Sequence, residues 1–288
     1  MIEDEEEDDE EDGENDCIQQ HSITHGYLVP PLISALAKDA RVDGYDLSSM
    51  RTVLSGGAAL SPALIEAAET RLPGLRIVQG YGMSEMAPAV TMLATTHGNP
   101  SSVGILLSNC AAKVIDDSGH ALPIGQTGEL CFRGPNIMLG YLDNKQATDE
   151  IIDQEKFLHT GDIGHIDNRG FFYVTDRKKE LIKYKGFQVA PAELEALLSE
   201  HPAVEDAAVM PVYDDAQATE IPRAYLVLKK NASADCTKEV VAWLHERVAP
   251  YKRLRGGVVL VDSIPRSPAG KIIRASLRNI EHVSSQNE

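Results

Sequence analysis

Residues 51–82 constrain the fold more than any other segment of the chain. A short apolar run, TVLS, leads into a glycine pair, and a helix-forming run, PALIEAAETRL, follows Ser61. Serine is favoured at a helix N-cap and proline in the first turn, so Ser61 and Pro62 mark the start of this helix. A second apolar run, LRIVQGYG, comes next. This strand–turn–helix–strand order predicts an α/β sheet that binds ligands at its strand ends.

The flanking segments predict three further pieces of structure. Residues 27–40, YLVPPLISALAKDA, predict a helix that opens at its proline pair. Beyond residue 100, the alternating pattern AAKVIDDSGHALPIGQTGELCFRG predicts β-hairpins of a small antiparallel unit, with a turn at Asp117. From Leu181 onward, helix, strand, strand, helix and strand patterns predict a compact α+β module of about a hundred residues. The charged residues 176–180 mark the expected boundary of this module.

The acidic charge of the chain is concentrated at its N-terminus. Residues 1–16 hold 12 of the 44 acidic residues and no basic residue, whereas the remainder has 32 acidic and 27 basic residues. The acidic run has too little apolar surface to bury and is expected to be disordered, either as a solvated tail or as an interaction tail. No basic face is wide enough to favour nucleic acid as a partner.

Targeting and cysteine patterns favour a cytoplasmic protein. No apolar run approaches the ~18 residues of a membrane span. The acidic N-terminus is unlike a signal peptide, and the C-terminal SSQNE is not a peroxisomal tripeptide. Cys17, Cys110, Cys131 and Cys236 show no C-x-x-C spacing, so reduced thiols are expected and not disulfides or a metal site. Nothing in the pattern indicates an oligomeric state.

Four glycine-punctuated stretches stand out as candidate site motifs. They are LSGGAAL (54–60), QGYGMSE (79–85), HTGDIG (159–164) with TDRKKE (175–180), and PRSPAGKI (265–272). Singly, each fits an ordinary turn, with Asp162 as a turn or N-cap residue and Lys271 as a solvated lysine. In this order and spacing they resemble the acyl-adenylate-forming superfamily of AMP-binding enzymes. Within it, they are most similar to the acyl-CoA ligases of the 4-coumarate:CoA ligase and beetle-luciferase branch.

Long uninterrupted segments, such as GELCFRGPNIMLGYLDN and KELIKYKGFQVAPAELE, extend the resemblance from about residue 26 to about residue 275. It implies an α/β and α+β fold. Residues 21–178 would be the C-terminal portion of the large AMP-binding domain, with a partial α/β sheet and a small antiparallel β unit. Residues 179–278 would be the small mobile C-terminal domain. Residues 1–20 and 279–288 would be tails.

The activity that the resemblance implies has two half-reactions. Family members activate a carboxylic acid with Mg-ATP to give acyl-AMP and pyrophosphate, and then transfer the acyl group to the thiol of coenzyme A. The expected small molecules are therefore ATP or AMP, Mg²⁺, coenzyme A and a carboxylic acid.

In QGYGMSE, the resemblance gives each position a role in nucleotide binding. Tyr81 matches the aromatic residue that stacks on adenine, and Gly80 and Gly82 let the backbone approach the nucleotide. Ser84 matches the hydroxyl donor to the α-phosphate. Glu85 matches the Mg²⁺ carboxylate, a hard oxygen ligand for a hard cation.

Two other motifs complete the implied nucleotide site. Gly56, Gly57 and Ala58 match the turn along which adenine and the acyl group lie. Asp162 matches the carboxylate that accepts both ribose hydroxyls, which suits a group with only acceptors. Arg177 matches its ribose and phosphate partner.

The remaining matches fall in the C-terminal part, which in this family rotates between the half-reactions. Lys271 matches the catalytic lysine that stabilises charge as the carboxylate attacks the α-phosphorus. Lys179 lies at the hinge position. Lys185 and Gly186 match the face used for thioester formation, where the glycine leaves room for the pantetheine arm, and Gln188 matches a residue near the adenylate.

The resemblance covers about half of a usual family member. The Ser/Thr/Gly-rich loop that cradles the β- and γ-phosphates has no counterpart in these residues, and residues 27–100 are expected to expose apolar edges. The first hypothesis is therefore an acyl-CoA ligase in a truncated form with impaired adenylation. The alternatives are an amino-acid-activating adenylation domain, a luciferase-type oxygenase, and a non-catalytic remnant that acts as a binding or regulatory module. Met83, Ala87, Val90 and Met92 indicate only an apolar wall, which suits an aromatic propenoate or a medium-chain acid.

Overall fold

The computed structural model describes residues 15–58, 60–93, 99–230, 232, 236–267 and 270–277. They divide into two compact units. The first contains the residues up to Thr160 together with His165–Val174, and the second contains Gly161–Gly164 and the residues from Thr175 onward. Residues 1–14 and 279–288 of the predicted tails lie outside the described residues, as do Pro268 and Ala269 of PRSPAGKI.

The predicted strand–turn–helix–strand order is confirmed in the first unit. The strands are β1 (His25–Leu28), β2 (Thr52–Ser55), β3 (Arg76–Gly82), β4 (Ala89–Met92) and β5 (Ile105–Leu106), in that order across one sheet. The first three are parallel, and β4 and β5 continue the sheet antiparallel. Helices α2 (Pro30–Lys38) and α3 (Pro62–Arg71) connect the parallel strands. The Ser61 hydroxyl accepts a hydrogen bond from the Leu64 N–H, as the N-cap prediction requires.

The helices bury one face each against this sheet. Ile33 and Leu36 of α2 lie three residues apart on the same side, and they pack in one cluster with Val53 of β2 and Ile77 of β3. At the outer strand β1, the Tyr27 side chain is 85% exposed, in keeping with the expected apolar edge.

One expectation near the N-terminus is confirmed and one was wrong. The helix predicted to open at its proline pair begins at Pro30, and residues 25–28 before it pair with β2. A residue before proline disfavours the helical conformation, and Val29 is extended, with φ −82° and ψ 158°. The tail expected over residues 1–20 is too long, because residues 15–21 form a helix, α1. Ile18 of α1 is buried in the core of the first unit, and this burial favours an ordered segment.

The small antiparallel sheet is confirmed after residue 100. Its strands are β6 (Ala111–Ile115), β7 (Gly128–Arg133), β8 (Leu158–Ile166) and β9 (Phe172–Arg177), and α4 (Lys145–Ile151) lies between β7 and β8 in the chain. The turn predicted at Asp117 is present, and the side chain of the preceding residue, Asp116, stabilises it. Asp116 accepts hydrogen bonds from the N–H groups of Ser118 and His120, and Gly119 has φ +83°.

The second unit has the predicted α+β order. A hairpin of β10 (Ile182–Tyr184) and β11 (Phe187–Val189) is followed by α5 (Pro191–Ser199), β12 (Val204–Asp214), β13 (Thr219–Leu228), α6 (Thr237–Arg247) and β14 (Val258–Leu260). Strands β12 and β13 are antiparallel, and β14 is parallel to β13. Leu194 and Leu198 of α5 and Val240 and Leu244 of α6 are each four residues apart, and all four are fully buried in the same core.

The N-terminus of helix α5 is capped by a side chain from outside the helix. Its N-cap residue, Ala190, has no side-chain acceptor, and Asp176 of β9 accepts the N–H of Ala192 at 3.0 Å. Burial raises the pKa of the Asp176 carboxyl group.

The described part of the chain has neither a helix that could span a membrane nor a disulfide. None of its helices combines the length and apolar content needed to cross a membrane. No disulfide links the four cysteines in this part of the chain.

Candidate active site

Two glycine-rich strand ends meet at the carboxyl edge of the first sheet. Gly56 follows β2, and a side chain there would begin 3.6 Å from the carbonyl oxygen of Gly80 in β3. Gly57 has φ +90°, a left-handed conformation that favours glycine, and nothing lies within 4 Å of the position of its Cβ. Ala58 is half-buried beside it. The structure therefore brings these predicted residues together on an open stretch of backbone.

Tyr81 and Gly82 end β3, where the chain turns toward β4. The Tyr81 ring is half-buried and packs against Phe132 of β7, with 5.9 Å between ring centroids and a tilt of 41°. No side chain fits at Gly82, because a Cβ there would lie 1.8 Å from the carbonyl oxygen of Pro88. Close packing within the β3–β4 connection therefore accounts for this glycine. Its role in admitting a nucleotide stays a prediction.

The turn after β3 is a 3₁₀ helix, Ser84–Met86, which is held by a distant segment of the chain. The Asn136 side chain donates hydrogen bonds to the carbonyl oxygens of Met86 and Ala89 at 2.9 and 2.8 Å. The Tyr141 hydroxyl donates to the Glu85 carboxylate at 2.8 Å. This hydrogen bond raises the pKa of Tyr141, because ionisation would place two negative charges side by side. Glu85 is thus held in position, while the Ser84 side chain is exposed.

Sequence patterns alone gave no role to three residues of the first unit. Asn136 and Tyr141 belong to the segment GELCFRGPNIMLGYLDN. The amide suits its position because it carries two donors, which satisfy two carbonyl groups at once. Ser55, at the end of β2, has a buried hydroxyl without a hydrogen-bond partner among the described residues. All three are polar side chains within or beside apolar runs, and this pattern could have marked them as residues with a specific role.

Asp162 and Arg177 lie together in the second unit. Asp162 is only 6% exposed, and the Arg177 Nε lies 3.3 Å from its Oδ1. The Gly161 carbonyl oxygen accepts the Lys178 N–H at 2.7 Å, which fixes the end of β9 beside β8. Asp162 is part of β8, so it is neither a turn residue nor an N-cap. The pairing of this carboxylate with this guanidinium matches the predicted combination.

The KYKG segment forms a tight hairpin. Lys185 and Gly186 occupy its two-residue loop with φ values of +46° and +85°, the signs expected of a type I′ turn. The Thr219 hydroxyl accepts the Lys185 N–H and donates to the Lys183 carbonyl oxygen, each at 2.9 Å. An open pocket of about 440 Å³ lies beside the hairpin, with Tyr213 in its lining. The turn alone requires a residue such as glycine at Gly186, so its role as an opening for a ligand stays a prediction.

Two other predicted residues flank this hairpin. Gln188 is exposed on β11 and lies opposite Lys183 in the β10–β11 register. Lys179 is exposed in the turn between β9 and β10, where the Arg177 carbonyl oxygen accepts the N–H groups of Glu180 and Leu181. The turn gives Lys179 a fixed backbone and a solvated side chain.

Lys271 lies in a loop that Arg266 fixes. The Arg266 guanidinium binds both carboxylate oxygens of Asp206, at 2.7 and 3.1 Å, and the Gly270 carbonyl oxygen at 2.8 Å. Ser267 and Lys271 are also joined, through the Ser267 N–H and the Lys271 carbonyl oxygen at 2.9 Å. The Lys271 side chain is exposed. The ion pair therefore holds the backbone of a lysine whose ammonium group faces solvent.

Comparison with known proteins identifies the family. A family model described as AMP-binding enzyme matches residues 4–142, and one described as AMP-binding enzyme C-terminal domain matches residues 193–271. A 4-coumarate–CoA ligase of Glycine max is 44% identical over 267 residues, which are 91% of this chain and 90% of that sequence. The chain belongs to the AMP-binding enzyme family. The resemblance to 4-coumarate–CoA ligases predicted from the motifs is confirmed.

Other relatives are longer than this AMP-binding enzyme chain. A probable 4-coumarate–CoA ligase of Dictyostelium discoideum is 44% identical over 266 residues, which are 92% of this chain but 48% of that sequence. The solved structure of an anthranilate CoA ligase in complex with anthranoyl-AMP matches with a TM-score of 0.84 and 28% identity, covering 94% of this chain and 52% of that one. The mixed fold is thereby confirmed as that of adenylate-forming enzymes. The chain spans about half the length of these two relatives.

Proposed function

We propose that the chain carries the C-terminal part of an acid–thiol ligase, which uses ATP to convert a carboxylic acid to acyl-AMP and transfers the acyl group to coenzyme A. Support comes from relatives named CoA ligases and from a solved relative that holds anthranoyl-AMP. The observation that carries the proposal is the pair Asp162–Arg177, a buried carboxylate 3.3 Å from a guanidinium nitrogen. A carboxylate has only acceptors and suits a ribose diol, and the guanidinium suits phosphate oxygens.

The first unit supplies the groups proposed for adenine and the α-phosphate. The Tyr81 ring, backed by Phe132, would stack on adenine, and the loop of Gly56, Gly57 and Ala58 would lie along its edge. This loop is suited to the task because no side chain projects from its two glycines. The Ser84 hydroxyl is exposed and would donate to an α-phosphate oxygen.

Glu85 is the residue proposed to bind Mg²⁺. A carboxylate is the hard oxygen ligand that this ion prefers, and Tyr141 already positions the carboxylate through its hydroxyl. The bound ion would reduce the negative charge of the phosphates. The contribution of the chain itself is positional, since Asn136 and Tyr141 hold the turn that bears both Ser84 and Glu85.

The second unit supplies groups for both half-reactions. Lys271 would place its ammonium group against the negative charge that develops at the α-phosphate during carboxylate attack. Lys185, Gly186 and Gln188 would form the face used for thioester formation, and Lys179 would lie at the hinge between the two arrangements. These roles are supported by the family resemblance and by the exposure of all five residues at those positions.

We infer an aromatic carboxylic acid as the substrate class. The relatives are named for 4-coumarate and anthranilate, both of which are aromatic acids. The structure corrects one residue of the expected apolar wall, because Val90 is fully buried in the core with Phe132 and cannot line a pocket. Met83, Ala87 and Met92 stay candidates for that wall.

We further propose that the 288-residue chain does not catalyse adenylation by itself. Phosphoryl chemistry depends mainly on positioning and electrostatic stabilisation of the leaving group. The motifs present account for adenine, ribose and the α-phosphate. No stretch of this sequence resembles the loop that positions the β- and γ-phosphates in the family, so pyrophosphate would be poorly placed to leave.

Calorimetric binding of a sulfamoyl analogue of 4-coumaroyl-AMP tests the proposed site. Asp162→Asn should weaken binding about 10- to 100-fold, because a charged hydrogen-bond acceptor contributes about 1.5–3 kcal/mol. Asp143→Asn is the matched control: Asp143 is exposed and has φ +53°, which asparagine also tolerates. If wild-type protein does not bind the analogue, these residues do not form a nucleotide site by themselves, and the alternative of a non-catalytic remnant is favoured. If both variants bind like wild type, the assignment of Asp162 is wrong.

An ATP–pyrophosphate exchange assay tests the second proposal. The 288-residue chain should show no exchange with a panel of aromatic and aliphatic acids, whereas a version extended with the N-terminal half of a 4-coumarate–CoA ligase should be active. Robust exchange by the shorter chain would contradict the importance given to the phosphate loop.

A further inference from the structure

The small antiparallel sheet of the first unit carries a cluster of metal-binding side-chain types on one face. Because side chains alternate along a strand, Leu130 and Phe132 of β7 enter one core cluster while Glu129 and Cys131 point to the other side. His159 of β8 lies beside these two. One donor atom from each of Glu129, Cys131 and His159 lies within 4.8 Å of the other two.

We propose that Glu129, Cys131 and His159 bind a divalent transition metal ion, with Zn²⁺ as the best match. Thiolate, imidazole and carboxylate are the ligand types of zinc sites in proteins, whereas Mg²⁺ and Ca²⁺ prefer oxygen ligands alone. Metal–ligand distances of about 2.0–2.3 Å place donors in a tetrahedral site about 3–4 Å apart. The three donors would therefore move together by about 1 Å, and water would complete the coordination.

A second carboxylate orients His159 in the way that metal sites require. Its Nδ1 lies 3.9 Å from Glu129 Oε1, and its Nε2 lies 3.4 Å from Asp153 Oδ2. Metal-bound histidines almost always donate the other ring N–H to a carboxylate, a carbonyl group or water, which fixes the ring. Asp153 is itself held by the Phe157 N–H at 2.8 Å and by the Lys113 ammonium at 2.9 Å. Nδ1 thus faces the ligands, and Nε2 faces an anchored carboxylate.

The charge of the cluster favours a cation despite one nearby lysine. Lys113 lies opposite Cys131 in the β6–β7 register, but its ammonium group is bound by Asp153 at 2.9 Å and by Glu155 at 3.0 Å. Glu129 adds a third carboxylate to the cluster, against this ammonium group and the Arg133 guanidinium, which packs over the Phe157 ring at 4.6 Å. The alternative is a metal-free network of hydrogen bonds and ion pairs among the same groups. Such a network does not need the Cys131 thiol, whereas a zinc site uses it as a ligand.

The cysteine spacing predicted no metal site, because the ligands are not grouped in the sequence. Glu129 and Cys131 are two residues apart on one strand, and His159 comes from the neighbouring strand. Only the pairing of β7 with β8 brings them together.

The test uses the untagged 288-residue chain with Co²⁺ and Zn²⁺ as probes. Excess Mg²⁺ is present so that the acidic residues 1–16 are occupied by a hard cation. One equivalent of Co²⁺ should bind with the near-ultraviolet charge-transfer band of a cobalt–thiolate bond, and Zn²⁺ should displace it. Cys131→Ser should remove the band, and His159→Gln should weaken Zn²⁺ binding at least about 100-fold. Asp153→Asn, which alters the group that orients His159 and binds Lys113, should weaken it about 10- to 100-fold.

Matched controls change the same residue types elsewhere. Cys236→Ser and His120→Gln should leave the band and the Zn²⁺ affinity unchanged. Cys131 is fully buried, so its variant is checked for folding by circular dichroism; His159 has a side chain that is 29% exposed, and its variant tests the site independently. The proposal is overturned if Co²⁺ binds without the thiolate band, if His159→Gln binds Zn²⁺ like wild type, or if no saturable binding occurs at micromolar Zn²⁺.

Discussion

Replacing Glu195 by glutamine should remove a pH dependence from the stability of the second unit. Glu195 lies on α5 and is largely buried, with hydrogen bonds from the Val209 N–H at 2.9 Å and from Arg274 at 2.8 Å. Arg274 is shared with Glu180, which binds it at 2.9 Å. Burial raises the pKa of Glu195 from its ordinary value of 4.5 to about 7, although Arg274 and the Val209 N–H act in the opposite direction.

The direction of the effect follows from proton binding. Because the native state holds this proton more tightly than the unfolded chain, the contribution of Glu195 to stability is complete below about pH 4.5 and is lost as the pH rises through about 7. At about 1.4 kcal/mol for each pKa unit, the shift corresponds to about 3 kcal/mol. Glutamine offers an amide oxygen to Val209 and Arg274 but has no proton to lose. Asp176, whose pKa is also raised by burial, is present in both proteins.

The assay is urea unfolding of wild type and Glu195→Gln, followed by tryptophan fluorescence at pH values from about 5 to 8. Trp243 is the single tryptophan of the chain, and it packs against the core of the second unit, so its signal reports this unit. The unfolding free energy of wild type, minus that of the variant, should fall by most of this ~3 kcal/mol over the range, because part of the effect lies below pH 5. Glu200→Gln is the control, because Glu200 is exposed at the end of the same helix and should show no such change.

Two results would refute the reasoning. A difference between wild type and Glu195→Gln that stays constant with pH would show that burial does not perturb this carboxyl group. A difference that grows in favour of wild type as the pH rises would show that the ion pair with Arg274 outweighs the cost of burial.

Three further predictions concern the proposed site. Tyr141→Phe removes the hydrogen bond to Glu85 and should weaken binding of the acyl-AMP analogue about fivefold by calorimetry, since one hydrogen bond contributes about 1 kcal/mol; unchanged affinity would mean that the turn holds without it. Gly186→Ala and Gly186→Trp share the strain of positive φ, about 1–2 kcal/mol, but only tryptophan fills the open space. In the extended protein, only Gly186→Trp should therefore block acyl transfer to coenzyme A from supplied acyl-AMP. Equal losses of transfer in the two variants would show that Gly186 is required only by the turn. Lys271→Ala should lower pyrophosphate exchange by the extended protein at least about 100-fold while sparing that transfer, and equal loss in both steps would contradict the assignment.

Local signals predicted the fold where capping and periodicity agree. Ser61 and Pro62 mark the start of α3, and the order of elements after Leu181 follows from alternating and helical patterns. The failures lie where tertiary contacts decide. Residues 25–28 are extended because β2 is beside them, and residues 15–21 are helical in a segment where Ile18 reaches the core. Neither partner is visible in a local pattern.

The candidate site shows a different limit of sequence analysis. Motifs located Gly82 and Gly186, but each has a structural reason that needs no ligand. Backbone lies 1.8 Å from where a Cβ of Gly82 would be, and Gly186 occupies a left-handed turn position with φ +85°. Glycine at these positions is therefore compatible with any function, and only variants that separate strain from bulk can assign a role.

Asp162 supports a function more directly than either glycine. Placing a carboxylate in a largely buried strand position costs free energy unless it is paired and hydrogen-bonded, and neither the turn nor the N-cap explanation applies within β8. The arginine that pairs with it is itself about two-fifths exposed, so the ion pair opens to solvent on one side. A costly acceptor with a cationic neighbour is what a polar ligand such as a ribose phosphate needs. The Asp162→Asn binding experiment therefore tests the proposed function at a buried carboxylate that is paired with a partly exposed guanidinium.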